Sequence, residues 1–363
     1  MISFMNLSRQ YEQYKDEFLV AIQAVCEKTA FSGGPFVKQF EEEFAKYTKT
    51  KAVAGVNNGT TALQLALIAL GIGAGDEVII PANTFIATAW AAVYVGATPV
   101  FVDCTPDTWN IDSKQIEKAI TSKTKTIIGV HLYGQPFDID AVKEIAKKHN
   151  LCLIEDCAQA HGAVYKEQVI GGLSDIGCFS FYPGKNLGAF GEAGAVVSQS
   201  EEYIEHIQRL KNHGQSQQYH HDEVGFNMRM EGIQAAILSC KLKYIAEWTK
   251  RRQAIAEEYF KDIKNSKVKM TKLMENVESV HHLFVVKVDN REKFLSFMKD
   301  KDILCGQHYP IPCHLQKAFA HLGYKKGDLP NAEDLAAHCV SLPMFPELKD
   351  EELAAVIKAV NEY

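Results

Sequence analysis

The stretch FSFYPGKNLGAFGEAGAVV, which runs from Phe179 to Val197, decides the fold of this chain. Two apolar runs, Cys178–Phe181 and Ala193–Val197, flank a glycine-rich turn that carries a single lysine, Lys185. Both runs have the length and composition of buried strands. Burial lowers the pKa of an amine, and a partly neutral amine can form a Schiff base with an aldehyde. A loop lysine that extends to water is the plainer interpretation of the same pattern.

A second stretch, LCLIEDCAQAHGA from Leu151 to Ala163, favours the chemical interpretation. It predicts a buried strand that ends at Glu155 and Asp156, with Gln159 and His161 following. Ligands of open α/β sheets lie beyond the carboxyl ends of the strands. An acid at one strand end and a lysine after the next strand are what pyridoxal phosphate (PLP) requires. The lysine binds its aldehyde, and the carboxylate keeps its pyridine nitrogen protonated.

With the motifs EDCAQAHGA and SFYPGKNLGAFGEAG, the chain resembles the DegT/DnrJ/EryC1/StrS family of sugar aminotransferases over almost its whole length. The resemblance implies a fold-type I PLP-dependent transferase with an α/β large domain, built on a seven-stranded and mostly parallel sheet, and a small α+β C-terminal domain. It makes Lys185 and Asp156 the catalytic residues. It also implies L-glutamate as amino donor, a nucleotide-linked keto-sugar as acceptor and a cytoplasmic homodimer with shared active sites.

The first two thirds of the chain alternate apolar runs with helical patterns, which predicts βα repeats and a largely parallel sheet. The runs are mostly continuous rather than alternating in polarity, as in strands buried on both faces. The predicted strands are Ala52–Val56, Val78–Ile80, Pro99–Val102, Thr126–Val130, Leu151–Glu155, Gly177–Phe181 and Gly194–Ser198. The predicted helices are Tyr11–Cys26, Val37–Tyr47, Thr60–Leu70, Phe85–Val95, Ser113–Ile120, Asp138–His149 and Glu201–Asn212.

The last third has a different pattern, which predicts a second domain. One long helix is predicted over Met230–Phe260, and the domain boundary is placed within it near Trp248. Residues 1–248 then form the large PLP-binding domain, and residues 249–363 form the small one. The small domain is predicted to contain strands at Val280–Val288 and Ile303–Tyr309 and helices at Arg291–Lys299, Asn331–His338 and Asp350–Asn361.

Three residues are expected to bind the phosphate group of the cofactor. The segment GVNNGTTALQLAL predicts a turn that leads into a helix, whose free N–H groups attract an anion. The resemblance assigns Gly59 and Thr60 of this segment, together with Ser180, to the phosphate. The alternatives are that the turn only caps a helix and that the Ser180 hydroxyl is satisfied within its own strand.

Two further residues are expected to contact the cofactor ring. Phe85 falls where the family places an aromatic ring on the pyridine, although a core phenylalanine is the default interpretation. Gln159 follows Asp156 by about one helical turn, so both can face the same ligand. In the family this glutamine position bonds the phenolic oxygen of the cofactor.

The segment GFNMRMEGIQAA carries the expected contribution of a partner subunit. In the family its asparagine, here Asn227, reaches the phosphate of the partner's cofactor, and Arg229 beside it is expected to contact substrate. A helix N-cap at Asn227 is an equally good local interpretation.

The sugar is expected to contact Tyr182, His308 and Tyr309. Tyr182 stands three residues before the lysine, where relatives that aminate the third carbon of dTDP-6-deoxy sugars carry tyrosine. This favours a dTDP-3-keto-6-deoxyhexose as substrate and a 3-amino-3,6-dideoxy sugar as product, for O-antigen or S-layer glycans. Amination at C-4 of a 4-keto sugar, or at C-3 of a UDP-N-acetyl sugar, remains open, and so does a packing role for Tyr182.

Composition and charge exclude several classes of protein. A net charge of −6 gives no basic surface for nucleic acid. The uncharged run Pro81–Val102 is broken by polar residues, glycine and proline, and the start of the chain has no signal-peptide pattern, so no membrane partner is expected. Nine cysteines without a C-x-x-C pair indicate a reducing compartment.

Two kinds of site or activity are also not expected. The pairs His220-His221 and His281-His282 lack a third ligand at a suitable spacing, so no metal is predicted. A sugar dehydratase of the same family typically has histidine in place of the lysine at position 185, so Lys185 argues against that activity. After aminotransferase and dehydratase, the third functional interpretation is a PLP-binding regulator without turnover. Such a regulator usually carries an added DNA-binding domain, and the sequence shows no basic helix-turn-helix segment.

Overall fold

A computed structural model describes residues 1–363. The strands are β1 (Ala52–Val56), β2 (Glu77–Pro81), β3 (Thr98–Val102), β4 (Thr124–Val130), β5 (Cys152–Asp156), β6 (Val164–Tyr165), β7 (Gln168–Val169), β8 (Ile176–Ser180), β9 (Gly194–Ser198), β10 (Gln215–Gln217), β11 (His220–His221), β12 (Val268–Met270), β13 (Val277–Glu278), β14 (Phe284–Val288) and β15 (Cys339–Leu342). The helices are α1 (Leu7–Glu27), α2 (Pro35–Thr48), α3 (Gly59–Ala69), α4 (Ile86–Tyr94), α5 (Ser113–Ala119), α6 (Ile139–His149), α7 (Glu201–Leu210), α8 (Gly232–Leu242), α9 (Ile245–Asp262), α10 (Arg291–Asp300), α11 (Pro330–His338) and α12 (Asp350–Glu362).

Seven strands form the main sheet in the order β1-β9-β8-β5-β4-β2-β3. Only β9 runs antiparallel to its neighbours, and the other strands are parallel to one another. These seven strands are the seven predicted ones, so the α/β fold with a mostly parallel sheet is confirmed. The continuous apolar character of the runs was informative because apolar residues cover both faces of this sheet.

The side chains of each strand alternate between two apolar layers. Leu153 of β5 packs in the layer that contains Phe40 and Phe44 of α2. Its neighbour Ile154 packs in the opposite layer, with Leu65 of α3. The same alternation sends the next two residues of β5 to opposite faces, which matters for the site because both are acids.

The C-terminal region forms a separate three-stranded antiparallel sheet in the order β12-β14-β15. Its apolar cluster draws on α9, α10 and α12, through residues such as Tyr259, Phe294 and Leu353. An α+β arrangement was predicted for this region. The division of the chain at Trp248 stays a prediction.

Three details of the C-terminal prediction are wrong. The strand predicted at Val280–Val288 begins only at Phe284. Ile303–Tyr309 is not a strand: it makes isolated bridges from Ile303 to Ile2 and from Gly306 to Ser341, and much of it is partly exposed. The fully buried β15 takes the place beside β14 instead. The long helix Met230–Phe260 is interrupted between α8 and α9, where the ring of Tyr244 packs on a tyrosine of α1.

No helix combines the length and the apolar composition that crossing a membrane requires.

Candidate active site

A cavity of about 800 Å³ opens beyond the carboxyl ends of the central strands. Its wall combines the start of α3, the start of α4, the end of β5, the turn after β8 and two segments of the C-terminal region. Predicted residues that line it are Gly59, Thr60, Phe85, Asp156, Gln159, Ser180, Tyr182, Lys185, His308 and Tyr309. The parallel sheet brings these residues together because it aligns the ends of strands that are far apart in sequence.

Lys185 lies on the turn after β8 and faces the cavity. Its backbone N–H donates to the carbonyl of Tyr182 at 2.8 Å. The turn folds so tightly that a Cβ on Gly188 would lie 2.3 Å from the carbonyl oxygen of Pro183. The Nζ of Lys185 has no hydrogen bond or salt bridge within the chain, and burial lowers its pKa to about 8. The lysine is therefore half-buried in the cavity wall rather than extended into solvent, and its amine is partly neutral near pH 7.

Asp156 lies at the end of β5 and is buried. Its Oδ1 accepts the backbone N–H of Ala158 at 3.1 Å, and its Oδ2 accepts the hydroxyl of Thr88 at 2.9 Å. Burial raises the pKa of Asp156, and these two bonds and the charge of Lys185 only partly offset that effect. A cation or N–H donor that enters the cavity would stabilise the ionised form of this carboxyl group.

Glu155, the other acid of the predicted pair, faces the opposite side of the sheet. Its carboxylate accepts the N–H groups of Gly171, Leu173 and Ser174 at 2.8 to 2.9 Å and the Ser174 hydroxyl at 3.0 Å. His131 adds a contact at 3.1 Å. Burial alone would raise the pKa of Glu155, but the hydrogen bonds and the histidine lower it below its ordinary value. Glu155 is thus an ionised group that anchors the loop after β7.

The structure contains one compact group of potential metal ligands, formed by His131, Glu155 and Cys157. The backbone N–H of Phe137 donates to Nδ1 of His131 at 3.3 Å, so Nε2 carries the proton and donates to Glu155. Both oxygens of Glu155 are already used by the protein, and burial raises the pKa of the Cys157 thiol well above its ordinary value. These contacts describe a structural cluster rather than a metal centre.

The first turn of α3 forms an anion site together with the end of β8. The side chain of Asn58 accepts the N–H of Thr61 at 2.9 Å, which leaves the N–H groups of Gly59 and Thr60 without a partner within the chain. A Cβ on Gly59 would lie 2.5 Å from the Cβ of Ser180, so only glycine allows this approach. Two N–H groups at a helix N-terminus and a serine hydroxyl are suited to a phosphate.

Phe85 and Gln159 lie on the wall between this anion site and the C-terminal region. Phe85 is 50 % exposed and its ring is tilted against Tyr309 at 5.5 Å, so it is not a core residue. Gln159 is buried, and its Oε1 accepts the N–H of Tyr133 at 2.8 Å. Its Nε2 donates to the hydroxyl of Tyr309 at 3.0 Å, which ties the end of β5 to the loop at 308–309.

The predicted sugar-binding residues surround the mouth of the cavity. Tyr182 is 55 % exposed and its hydroxyl has no partner within the chain. The Nδ1 of His308 lies 2.8 Å from the Ser341 hydroxyl, and its ring stacks on Phe4 at 5.5 Å. Burial lowers the pKa of His308 to about 4, so this imidazole is neutral. A neutral ring suits a hydroxyl-bearing ligand.

Asn227 and Arg229 do not line the cavity of their own chain. Asn227 is exposed and forms an isolated bridge with Asn212. Arg229 donates to the Asn212 side chain at 2.7 Å and lines a separate cavity of about 210 Å³. Their contact with cofactor and substrate stays a prediction that requires a second subunit.

Several cavity residues escaped sequence reasoning. Thr88 follows Phe85 by three residues, and its position about one helical turn further along the chain was a usable signal. His282 was weighed only as a metal ligand, yet it is buried and lines the cavity. Phe4 and Met5 come from the N-terminal segment and reach the cavity through tertiary packing alone, which no local pattern indicates.

The sheet, the cavity lysine and the acid at a strand end together define the class of α/β aminotransferases. The chain belongs to the DegT/DnrJ/EryC1/StrS aminotransferase family, whose model matches residues 12–361. The predicted family is thereby confirmed.

Several curated relatives match the whole chain, and two of them serve as examples. One, from Geobacillus stearothermophilus, is named a pleiotropic regulatory protein; it is 41 % identical and 98 % of its length is covered. The other, from Aneurinibacillus thermoaerophilus, is named a dTDP-3-amino-3,6-dideoxy-alpha-D-galactopyranose transaminase; it is 43 % identical and 99 % of its length is covered.

Many solved structures have the same fold, and two examples show the range of similarity. S. venezuelae DesV in complex with a ketimine intermediate is 42 % identical, with a TM-score of 0.98 over 99 % of this chain and 98 % of that chain. Bacillus subtilis NtdA with bound cofactor PMP is 31 % identical, with a TM-score of 0.90 over 96 % of this chain and 82 % of that chain.

Proposed function

We propose that this chain is a PLP-dependent aminotransferase that converts the keto group of a nucleotide-linked sugar into an amine, with L-glutamate as the amino donor. The observation that carries the proposal is the meeting of Lys185 and Asp156 in one cavity with a free helix N-terminus. The family and the named transaminase among the relatives support the same reaction class.

The residues of the cavity fit PLP. Gly59, Thr60 and Ser180 would hold its phosphate, because the required close approach of α3 to β8 is present. Asp156 would pair with the pyridine nitrogen, and Lys185 would bind the aldehyde carbon. Phe85 would cover the ring and Gln159 would bond its phenolic oxygen. When bound, PLP supplies an electron-withdrawing ring that makes the Cα–H bond of the amino donor acidic.

The chain's own contribution to the reaction is proton transfer and orientation. The pKa of Lys185 near 8 leaves part of the Nζ neutral at physiological pH, so that it can accept a proton and return it. Asp156 and Lys185 have no direct hydrogen bond with each other, which leaves both free for the ligand. Asp156 is buried, so its carboxyl group is shielded from bulk water.

The preferred acceptor is a dTDP-3-keto-6-deoxyhexose, and the product is the 3-amino-3,6-dideoxy sugar. The unpartnered and exposed hydroxyl of Tyr182 supports this choice, because a phenol beside the lysine can anchor a sugar hydroxyl. The Aneurinibacillus relative carries the name of such a reaction. We place the reaction in the cytoplasm, where it would supply an amino sugar for O-antigen or S-layer glycans; all nine cysteines are free, as a reducing compartment requires.

The test uses purified protein loaded with PLP and supplied with glutamate. It is offered 3-keto and 4-keto isomers of dTDP-, UDP- and GDP-sugars, and NMR locates the amino carbon of each product. Amination at the third carbon of the dTDP sugar is expected. Preferred amination at the fourth carbon, or of a UDP-N-acetyl sugar, would contradict the choice of sugar and leave the reaction class intact.

The active unit is a homodimer in which Asn227 of one subunit completes the site of the other. The exposure of Asn227 outside its own cavity supports this arrangement. Mixing Lys185→Ala protein with a strongly impaired Asn227→Ala protein should restore part of the activity through hybrid dimers. Full activity in a sedimenting monomer would contradict the shared site.

A PLP-binding regulator without turnover is the second candidate, and the name of the Geobacillus relative supports it. The same glutamate assay separates the candidates. A regulator would bind the cofactor and give no aminated sugar with any member of the substrate panel.

A further inference from the structure

His282 lies in the cavity wall beside the lysine turn, in a buried segment that precedes β14. The histidine is only 6 % exposed, and neighbouring Leu283 packs in an apolar cluster with Phe4. Phe4 in turn stacks on His308 of the proposed sugar-binding loop. His282 is therefore placed between the reacting lysine and the sugar side of the cavity.

The proton of His282 can be located from its neighbours. The Nδ2 group of Asn186 lies 3.1 Å from the carbonyl oxygen of Val280, and a carbonyl can only accept. The Oδ1 of Asn186 therefore faces Nδ1 of His282, at 3.1 Å. Because Oδ1 can only accept, Nδ1 of His282 carries the proton and donates. Its Nε2 is then unprotonated and carries a free lone pair, and this atom has no hydrogen-bond partner within the chain.

The backbone that carries the His282 ring is held in place by hydrogen bonds from a buried arginine. The buried Arg252 donates from Nη1 to the carbonyl oxygens of His281 at 3.3 Å and of His282 at 3.2 Å. Burial lowers the pKa of His282 well below its ordinary value, and the nearby positive charges of Lys185 and Arg252 act in the same direction. The imidazole stays neutral at physiological pH and presents an acceptor to the cavity.

The lone pair restricts what His282 can bind. A phosphate or carboxylate offers only acceptors at neutral pH, so neither can pair with Nε2. Lys185 lines the same cavity but makes no hydrogen bond to His282. Nε2 is therefore suited to a hydrogen-bond donor that the ligand brings into the cavity. Among the reactants of the proposed function, sugar hydroxyl groups are the donors expected on the side of His308.

We propose that Nε2 of His282 accepts a hydrogen bond from a hydroxyl group of the sugar substrate and orients the keto carbon toward Lys185. The inference rests on the proposed function and adds a substrate-contacting residue to it. Asn186, the residue after the lysine, acts through His282 as a positioning residue because its Oδ1 fixes the tautomer.

Two substitutions separate the two nitrogens. His282→Asn retains a donor near the position of Nδ1, so it can bond Asn186, but it removes the acceptor from the cavity. His282→Gln retains an oxygen near the position of Nε2 and loses the bond to Asn186. If His282 served only to tie the lysine turn to the C-terminal region, the Asn variant would be the milder of the two.

We expect His282→Asn to lower kcat/KM for the keto-sugar nucleotide by roughly 10- to 100-fold, the usual range for a lost substrate hydrogen bond. The half-reaction with glutamate, followed by the absorbance of the bound cofactor, should stay within about threefold of wild type. His282→Gln should lose less than His282→Asn. The opposite order, or an equal fall in both half-reactions of His282→Asn, would overturn the inference.

Failure of the inference and failure of the proposed function are distinguishable. Wild-type protein that aminates no keto-sugar nucleotide contradicts the proposed function. Wild-type turnover together with unchanged kcat/KM in His282→Asn contradicts the role of His282 alone. Thermal unfolding of both variants accompanies the assay.

If either substitution prevents folding, the ring ¹⁵N spectrum of wild-type histidines decides, with His282 assigned from the variant that folds or from distance restraints to Asn186. A proton on Nδ1, and a shift of the Nε2 resonance when dTDP-amino-sugar product binds, support the inference. A proton on Nε2 would overturn it.

Discussion

Glu155 and Asp156 are consecutive carboxylates on β5, and they face opposite sides of the sheet. Glu155 receives three backbone N–H bonds, one hydroxyl bond and the His131 contact. Asp156 receives one backbone N–H bond and one hydroxyl bond. Burial is the largest influence on the pKa of both groups, yet the pKa of Glu155 is lowered and that of Asp156 is raised.

The contrast shows how a protein assigns different tasks to neighbouring acids. A buried carboxylate whose oxygens are filled by donors is stabilised in its ionised form and stabilises the fold. A buried carboxylate with few donors carries an electrostatic cost that a cationic or N–H-bearing ligand can relieve. Glu155 therefore belongs to the scaffold, and Asp156 is available to the cofactor.

The largest expected effect comes from Asp156→Asn. A carboxamide cannot keep the pyridine nitrogen protonated, so turnover should fall by on the order of 10³-fold or more. The fold should persist, since the amide can still accept the N–H of Ala158 and removes a buried charge. Turnover and thermal unfolding are measured on the same sample. Near-normal turnover would contradict the role of Asp156.

Glu155→Gln is the matched control, and its effect should fall on stability. One end of the amide would place a donor against the donors of Gly171 and His131, which should cost about 3 kcal/mol of the free energy of unfolding. Urea denaturation of the cofactor-free protein gives this value. Turnover per folded enzyme should stay within about fivefold of wild type. Unchanged stability with lost turnover would indicate that Glu155, rather than Asp156, acts on the cofactor.

A smaller effect is expected in the pH dependence of stability of the cofactor-free protein. The folded-state pKa of Glu155 lies below its ordinary value of 4.5, so its contribution is present above that pH and is lost on acidification. The folded-state pKa of Asp156 lies above its ordinary value of 3.8. Ionisation of Asp156 therefore lowers the free energy of unfolding as the pH rises through the folded-state value.

The two variants should therefore change the pH profile in opposite directions. Glu155→Gln should flatten the rise of stability between acid and neutral pH, and Asp156→Asn should steepen it. Urea denaturation at a series of pH values between about 3 and 7 measures both profiles. Parallel profiles for wild type and both variants would show that neither acid has a shifted pKa.

The main sheet could be predicted because its strands are buried on both faces and read as uninterrupted apolar runs. The positions of Asp156 and Lys185 followed, since residues after parallel strands meet at one edge of the sheet. The opposite orientations of Glu155 and Asp156 also follow from strand alternation, but the environment of Glu155 does not. Its donors at Gly171, Leu173 and Ser174 come from a loop whose path is set by tertiary packing.

The C-terminal region was harder to predict. Ile303–Tyr309 has an alternating pattern, yet it pairs only at single positions, whereas the short β15 forms the third strand. Short antiparallel strands carry little periodic signal, and their pairing depends on partners distant in sequence. The contact between Phe4 and His308 could not be predicted either, because it joins two segments that are distant in sequence.

A comparison of two buried lysines gives the most direct test of the central claim. Burial lowers the pKa of Lys241 to about 8, as it does for Lys185. The Nζ of Lys241 is occupied, because it donates to the carbonyl of Gly188 at 2.8 Å and lies over the ring of Phe190. A lowered pKa is thus not sufficient for binding the cofactor; the amine must also be free and face the cavity.

The measurement is borohydride reduction of the PLP-loaded protein, followed by peptide mass spectrometry of wild type, Lys185→Ala and Lys241→Ala. The account predicts one cofactor adduct per chain, on the peptide that contains Lys185. The adduct should be absent from Lys185→Ala and present in Lys241→Ala. An adduct that persists in Lys185→Ala, or that maps to another lysine in wild type, would contradict the account.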